Sequence, residues 1–143
     1  MKRFNRQKGI TLVEILVTVV ILSVGLLALA KIQLIASAGT NSAGQRNQAV
    51  LIADNIFENM RANREAAIDG KYNISLNETV KNGNSMAQSD IYNWKQDLKT
   101  LINGAGSIQV NNGWATVIVQ WEDNSNSRES ANSKQQIKIS SQL

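Results

Sequence analysis

Hydrophobic residues are unevenly distributed along the chain, and the longest apolar segment lies near its beginning. Residues 10–30 form a run of 21 positions with one charged side chain, Glu14. A helix rises ~1.5 Å per residue, so this run would extend ~30 Å, the thickness of a bilayer core. The pattern therefore predicts a membrane-spanning helix.

The helical pattern continues beyond this apolar run. Residues 31–67 contain no proline, and Gly39 and Gly44 are the points where a bend would cost least. After Gln45, apolar residues recur at spacings of three and four and polar residues occupy the opposite face. The apolar positions are Ala49, Val50, Ile52, Ala53, Ile56, Phe57 and Met60, and the polar ones are Asp54, Asn55, Glu58, Asn59 and Arg61. We expect one helix of about 55 residues whose first half is free of the head and whose second half lies across a sheet.

A shorter helix is predicted in the middle of the chain. Ser89 is expected to cap residues 90–102, and Asn103 and Gly104 are expected to end the helix. Its apolar face would carry Ile91, Trp94, Leu98, Leu101 and Ile102. This face should belong to the core of the head.

The remaining strands indicate a small antiparallel sheet. Asn112 and Gly113 separate two alternating segments, the pattern of a two-residue type I′ hairpin. The expected pairs are Val110 with Ala115 and Ile108 with Val117, and Val119 and Trp121 continue the buried face. A polar loop over residues 123–133 precedes a last strand containing Ile137 and Ile139, and Tyr72, Ile74 and Leu76 alternate as a short strand would. The predicted fold class is α+β, with a long N-terminal helix packed on three or four antiparallel strands.

Composition narrows the possible chemistry. The chain has no cysteine and no histidine, which removes disulfides, thiolate metal sites and the commonest general base. The carboxylates after Glu14 are scattered. We therefore expect no enzymatic activity, no catalytic or metal-binding residues and no cofactor.

The net charge of +4 is also localised. Lys2, Arg3, Arg6 and Lys8 all precede Gly9, and the rest of the chain carries 11 basic against 11 acidic residues. A nucleic-acid partner is accordingly not expected. Basic residues before an apolar run instead predict that the N-terminus stays in the cytoplasm and that the remainder crosses the membrane.

The junction between the basic segment and the apolar run carries a recognisable motif. The residues KGITLVEI place Gly9 at the junction and Glu14 at the fifth position beyond it. This octet resembles the cleavage and methylation motif of type IV prepilins, although most members begin the mature chain with Phe and this one would begin with Ile10. The resemblance implies that a prepilin peptidase cuts between Gly9 and Ile10 and that the Ile10 amine is methylated. It also implies that Glu14 pairs with the Ile10 amine of a neighbouring subunit during assembly.

The resemblance divides the chain into three parts. Residues 1–9 would be a cleaved leader, residues 10–32 the transmembrane and filament-core helix, and residues 33–143 a periplasmic or extracellular head that includes the second half of the long helix. The protein would reside in the bacterial inner membrane before assembly and in a surface filament afterwards.

A second and narrower resemblance lies in the stretch NQAVLIADNIFENMRANREAA, residues 47–67. It looks like the segment of PilV-type minor pilins in which the helix ends in a Met-Arg-Ala-Asn run, here Met60 to Asn63. It implies a minor pilin that joins a tip or priming complex and promotes pilus assembly. Its partners would be other minor and major pilins, the prepilin peptidase, the inner-membrane assembly platform and the lipid bilayer, with a tip adhesin as a further candidate.

Three other classes of protein compare less well or equally with the sequence. A minor pseudopilin of a type II secretion system would share the leader, Glu14 and the helix, and the sequence leaves it open as the alternative. A signal-anchored periplasmic enzyme is disfavoured by the missing His and Cys. An abundant shaft pilin is disfavoured because such subunits usually close their C-terminal region with a disulfide.

Overall fold

The computed structural model describes residues 11–123 and 134–143. These residues divide into two compact units, one ending at Gly39 and the other beginning at Thr40. Leader residues 1–9, Ile10 and most of the predicted polar loop lie outside the described residues. The elements are three helices and three strands within the described ranges: α1 (Leu12–Ala62), α2 (Arg64–Ile68), α3 (Met86–Leu98), β1 (Ala105–Asn111), β2 (Trp114–Glu122) and β3 (Lys134–Gln142).

The long helix is present as expected, with one difference at its end. Helix α1 runs for 51 residues and passes through Gly39 and Gly44 without interruption. It stops at Ala62, and Asn63 leaves the helical conformation (φ −119°, ψ 51°) before α2 begins. The predicted continuation to residue 67 is therefore a separate short helix.

The apolar stripe of α1 forms part of the core of the second unit. Every predicted core position of this stripe is buried except Val50, which is half-buried, and the polar face is exposed. These residues share one hydrophobic cluster with Trp94 and Leu98 of α3 and with Val117 and Val119 of β2. Burial of apolar surface from three elements thus holds the head together.

The middle helix, Met86–Leu98, begins and ends earlier than the predicted residues 90–102. Ser85, not Ser89, is the N-cap, and its hydroxyl accepts a hydrogen bond from Gln88 N–H at 3.3 Å. Both serines are followed by helix-forming residues, so local sequence alone does not select between them. The cap at Ser85 lets Ala87 enter the core with Ile91, Trp94 and Leu98.

The sheet is antiparallel with the order β1-β2-β3. The hairpin register is the predicted one, with Ile108 opposite Val117 and Val110 opposite Ala115. Asn112 and Gly113 have φ of 51° and 76°, as a type I′ turn requires. Near Tyr72, the predicted short strand is reduced to a single bridge between Ile74 and Ile108, so three strands are described and no fourth.

Candidate functional site

The candidate assembly site lies at the start of α1. Thr11 stands where the helix begins, and its carbonyl accepts hydrogen bonds from the N–H groups of Glu14 (3.1 Å) and Ile15 (3.3 Å). The Thr11 hydroxyl accepts a further bond from Glu14 N–H at 3.4 Å. A threonine cap with glutamate three residues later is a favoured helix start, because it satisfies free N–H groups and places negative charge in the first turn.

The carboxylate of Glu14 is exposed among apolar side chains. Within residues 11–123 and 134–143 it makes no hydrogen bond or ion pair, and its neighbours Leu12, Val13 and Ile15 are exposed as well. Gly9 and Ile10, the other two predicted site residues, lie outside the described residues. The structure therefore places Glu14 in the first turn of α1, among exposed apolar side chains.

The surface around Glu14 is apolar over several turns. Helix α1 includes a segment long and apolar enough to cross a membrane, judged by length and composition, and none of that segment is buried. Two hydroxyl groups on it bond back to the helix: Thr18 donates to the Ile15 carbonyl and Ser23 to the Val19 carbonyl, both at 2.7 Å. Glu14 is thus the single acidic or basic side chain between Thr11 and Ala30.

The head contains a different polar centre, which the sequence analysis missed. The Lys95 ammonium donates to the carbonyl groups of Gly106 (2.7 Å), Leu76 (3.0 Å) and Ser75 (3.2 Å). Burial lowers the pKa of Lys95, and the nearby Glu78 opposes this shift. Lys95 also lines an open cleft of about 330 Å³ that includes Leu76 and Glu78. Its three bonds indicate a structural role, since they tie the loop after α2 to β1.

A second polar contact joins the same loop to α3. Tyr72 is fully buried, its hydroxyl donates to Asp90 at 2.5 Å, and Asn63 donates to that hydroxyl at 3.3 Å. Burial, followed by the hydrogen bond to Asp90, raises the pKa of Tyr72 to about 12. The described part of the chain contains no cluster of three or more metal-ligating His, Cys, Asp or Glu residues.

Comparison with known proteins identifies the N-terminal region. A protein-family model described as the prokaryotic N-terminal methylation motif matches residues 4–30, the segment that contains Gly9, Ile10 and Glu14. No curated protein and no solved structure gives a match. Together with the long N-terminal helix and the three-stranded antiparallel sheet, this motif supports a type IV prepilin-like protein.

The motif implies, in general terms, processing by a peptidase and pilin partners. The long apolar N-terminal helix is consistent with a membrane-anchored pilin. The match ends at residue 30, before the stretch over residues 47–67 that resembles PilV-type pilins. That narrower resemblance consequently has no support from the comparisons.

Proposed function

We propose that this chain is a minor type IV pilin, a structural subunit of the tip or priming complex that promotes pilus assembly. The observation that carries the proposal is the Glu14 carboxylate, which has no partner among the described residues and lies in the first turn of an exposed apolar helix. An acidic residue costs ~2.5–3.5 kcal/mol at the centre of a membrane helix and less near its end, where Glu14 lies, and a partner of opposite charge would offset this cost. The methylated Ile10 amine of a neighbouring subunit has the required positive charge.

The proposal assigns the three parts of the chain as follows. Residues 1–9 are the cytoplasmic leader, residues 10–32 the membrane and later filament-core helix, and residues 33–143 the head. The four basic residues before Gly9 support an orientation with the N-terminus in the cytoplasm. The lack of cysteine favours a minor subunit over an abundant shaft pilin.

The first test concerns processing. We expect intact-mass analysis of filament-associated protein to give a chain that begins with methylated Ile10. Gly9→Val should keep the leader, because a branched side chain blocks the close backbone approach that a peptidase needs at this position. Lys8→Ala is the matched control and should be cleaved normally. A leader retained in filaments, or a cut beyond Ala30, would contradict this assignment.

The second test concerns assembly and uses Glu14. Loss of one member of a buried ion pair costs about 3–5 kcal/mol because the remaining charge is stranded. We therefore expect Glu14→Leu to insert into the membrane and be cleaved, but to lower the ratio of protein in sheared filaments to protein in membranes more than tenfold. Glu14→Asp should be intermediate, since it keeps the charge with a shorter reach.

Thr18→Val is the matched control for this experiment. It changes a polar residue one turn further along α1 whose hydroxyl bonds only its own helix, so the filament ratio should not change. Equal ratios for Glu14→Leu and the unmodified chain would exclude the pairing as a requirement for assembly. The alternative, a minor pseudopilin, predicts that loss of the chain impairs protein secretion and leaves surface pili intact.

A further inference from the structure

The two edges of the head's sheet differ in the hydrogen bonds that their outer backbone groups make. Along the outer edge of β1, the Gly106 carbonyl accepts from Lys95 at 2.7 Å and Val110 N–H donates to the Asn73 side chain at 2.7 Å. Between these positions, Ile108 exchanges two backbone hydrogen bonds of 3.0 Å with Ile74. Side chains and a loop therefore close this edge.

The opposite edge, formed by β3, has no neighbouring strand among the residues that the structure describes. The N–H and C=O groups of alternate residues in a strand point to opposite sides of that strand. Those of Ile108 point away from β2, towards Ile74, so those of its partner Val117 point away from β1, towards β3. The backbone groups of the odd-numbered β3 residues therefore bond to β2. Leu143, the next odd-numbered residue, agrees with this, because its N–H donates to the Gly113 carbonyl. The outward residues are Lys134, Gln136, Lys138, Ser140 and Gln142.

These outward backbone groups lack partners. Among the residues that the structure describes, their N–H and C=O groups make no hydrogen bond, apart from a 3.3 Å contact of the Gln142 carbonyl with the Ser141 hydroxyl. An open edge of this kind is a template for pairing with another strand. The nine-residue strand contains no proline that would interrupt such pairing.

The side chains of β3 define which strand would fit. The outward residues include Lys134 and Lys138, exposed and four residues apart, and β3 contains no acidic residue. On the other face, Ile137 is buried and Ile139 is half-buried at the margin of the core. Antiparallel pairing of two β3 strands centred on Gln136 or Lys138 would place lysine opposite lysine, which is unfavourable.

We infer that the free edge of β3 binds an extended, acidic segment of another pilus subunit by strand addition. Main-chain hydrogen bonds would supply most of the affinity. Acidic side chains four residues apart would meet Lys134 and Lys138, and apolar side chains between them would extend the core beyond Ile137 and Ile139. The inference rests on the proposed function for the identity of the partner as a subunit.

The test uses full-length protein in detergent and a labelled nine-residue peptide, Thr-Val-Glu-Val-Thr-Val-Glu-Val-Thr, with blocked ends. Its glutamates have the spacing of the two lysines, and a control peptide carries lysine in their place. Fluorescence polarisation should show saturable binding of the acidic peptide and binding at least tenfold weaker for the basic one. Lys134→Glu with Lys138→Glu should reverse this preference.

The backbone requirement is tested by Gln136→Pro beside Gln136→Ala. Both variants lose the bond that the Gln136 side chain accepts from Gln120, but only proline also removes the outward N–H. We expect binding to Gln136→Pro at least tenfold weaker than to Gln136→Ala. If the proline variant does not fold, the backbone requirement can be tested on the peptide instead. An acidic peptide whose alternate backbone amides are methylated should then bind at least tenfold more weakly than the unmethylated acidic peptide.

Some outcomes would overturn the inference. The inference would be wrong if the acidic peptide did not bind below about 1 mM. It would also be wrong if the acidic and basic peptides bound equally well, or if the proline and alanine variants bound the acidic peptide equally well. Lys134 and Lys138 would then serve only to disfavour pairing of other strands with this edge. Because the assay uses isolated protein, such a result would leave the Glu14 proposal untouched.

Discussion

At the scale of single residues, the head depends on polar side chains that satisfy distant backbone groups. Lys95 bonds three carbonyls, and Asn73 accepts from Val110 N–H across 37 positions of sequence. In the sequence, Lys95 resembles any polar residue of an amphipathic helix, and Asn73 begins one of two Asn-x-Ser/Thr triplets. No local pattern distinguishes them, because their partners become neighbours only when the chain folds.

Tyr72 gives a testable pH dependence at this scale. Its pKa is raised from 10.0 to about 12 in the folded protein, so the unfolded chain loses the phenol proton first as pH rises. The stability that the bound proton contributes is therefore fully present below pH 10 and is lost between pH 10 and pH 12. We expect the free energy of unfolding to fall more steeply in this range for the unmodified protein than for Tyr72→Phe.

Denaturant unfolding of both proteins at a series of pH values provides the measurement. At neutral pH, Tyr72→Phe should be less stable by about 1.5–3 kcal/mol, the usual contribution of a hydrogen bond to a charged group. Tyr92→Phe is the control, since it leaves the Tyr72–Asp90 contact in place. Parallel pH profiles for the unmodified protein and Tyr72→Phe would show that the contact does not hold the proton.

At the scale of elements, prediction succeeded where the signal was local. The Asn112-Gly113 turn determines its own hairpin register, since both residues adopt positive φ without strain and the flanking apolar positions then face one side. The start of α3 was predicted wrongly because Ser85 and Ser89 offer similar caps. The helix-compatible sequence continues past Asn63 because residues 47–67 contain no glycine or proline, and only the resemblance to PilV-type pilins implied a helix end within Met60 to Asn63.

The close contact between α3 and β1 depends on a glycine, Gly106, where a larger residue would not fit. A Cβ atom at Gly106 would lie 2.6 Å from the Trp94 ring, 2.8 Å from Leu98 and 3.0 Å from the Ile118 carbonyl. Overpacking of this kind typically costs about 1–3 kcal/mol. We expect Gly106→Ala to lower the free energy of unfolding by that amount.

Ser107→Ala is the neighbouring control for this contact. Ser107 lies on the outer face of the same strand, so its change should alter stability by no more than about 0.5 kcal/mol. Both variants can be compared by thermal melting monitored by circular dichroism. Equal melting temperatures for the two variants would mean that α3 moves away from β1 at little cost.

At the scale of the whole molecule, the sequence was most informative about its beginning. The leader, Gly9 and Glu14 form a short linear motif, so their class could be predicted without any knowledge of tertiary structure. The head was predictable as an architecture, an amphipathic helix with a hairpin and a last strand. Its surface was not, because the closed edge at β1 and the open edge at β3 arise from contacts between distant segments.

The last prediction is that the head folds without the membrane segment. Every buried apolar residue found in the described ranges lies at Ala49 or beyond, and the second compact unit begins at Thr40. A fragment over residues 33–143 therefore retains every buried residue of the described core, because all described residues before Gln33 are exposed. We expect it to be soluble and to unfold in one cooperative thermal transition.

Two variants of this fragment show whether such a transition reports the native core. Ile56 is fully buried, so Ile56→Ala should destabilise the fragment by about 2–5 kcal/mol, whereas Leu51 on the same helix is exposed and Leu51→Ala should change stability by no more than about 0.5 kcal/mol. Circular dichroism during heating measures both effects. A gradual melt, or equal effects of the two variants, would mean that the core forms only when the head contacts its partner subunits. Burial of apolar surface within one chain would then be too small to offset the conformational entropy lost on folding.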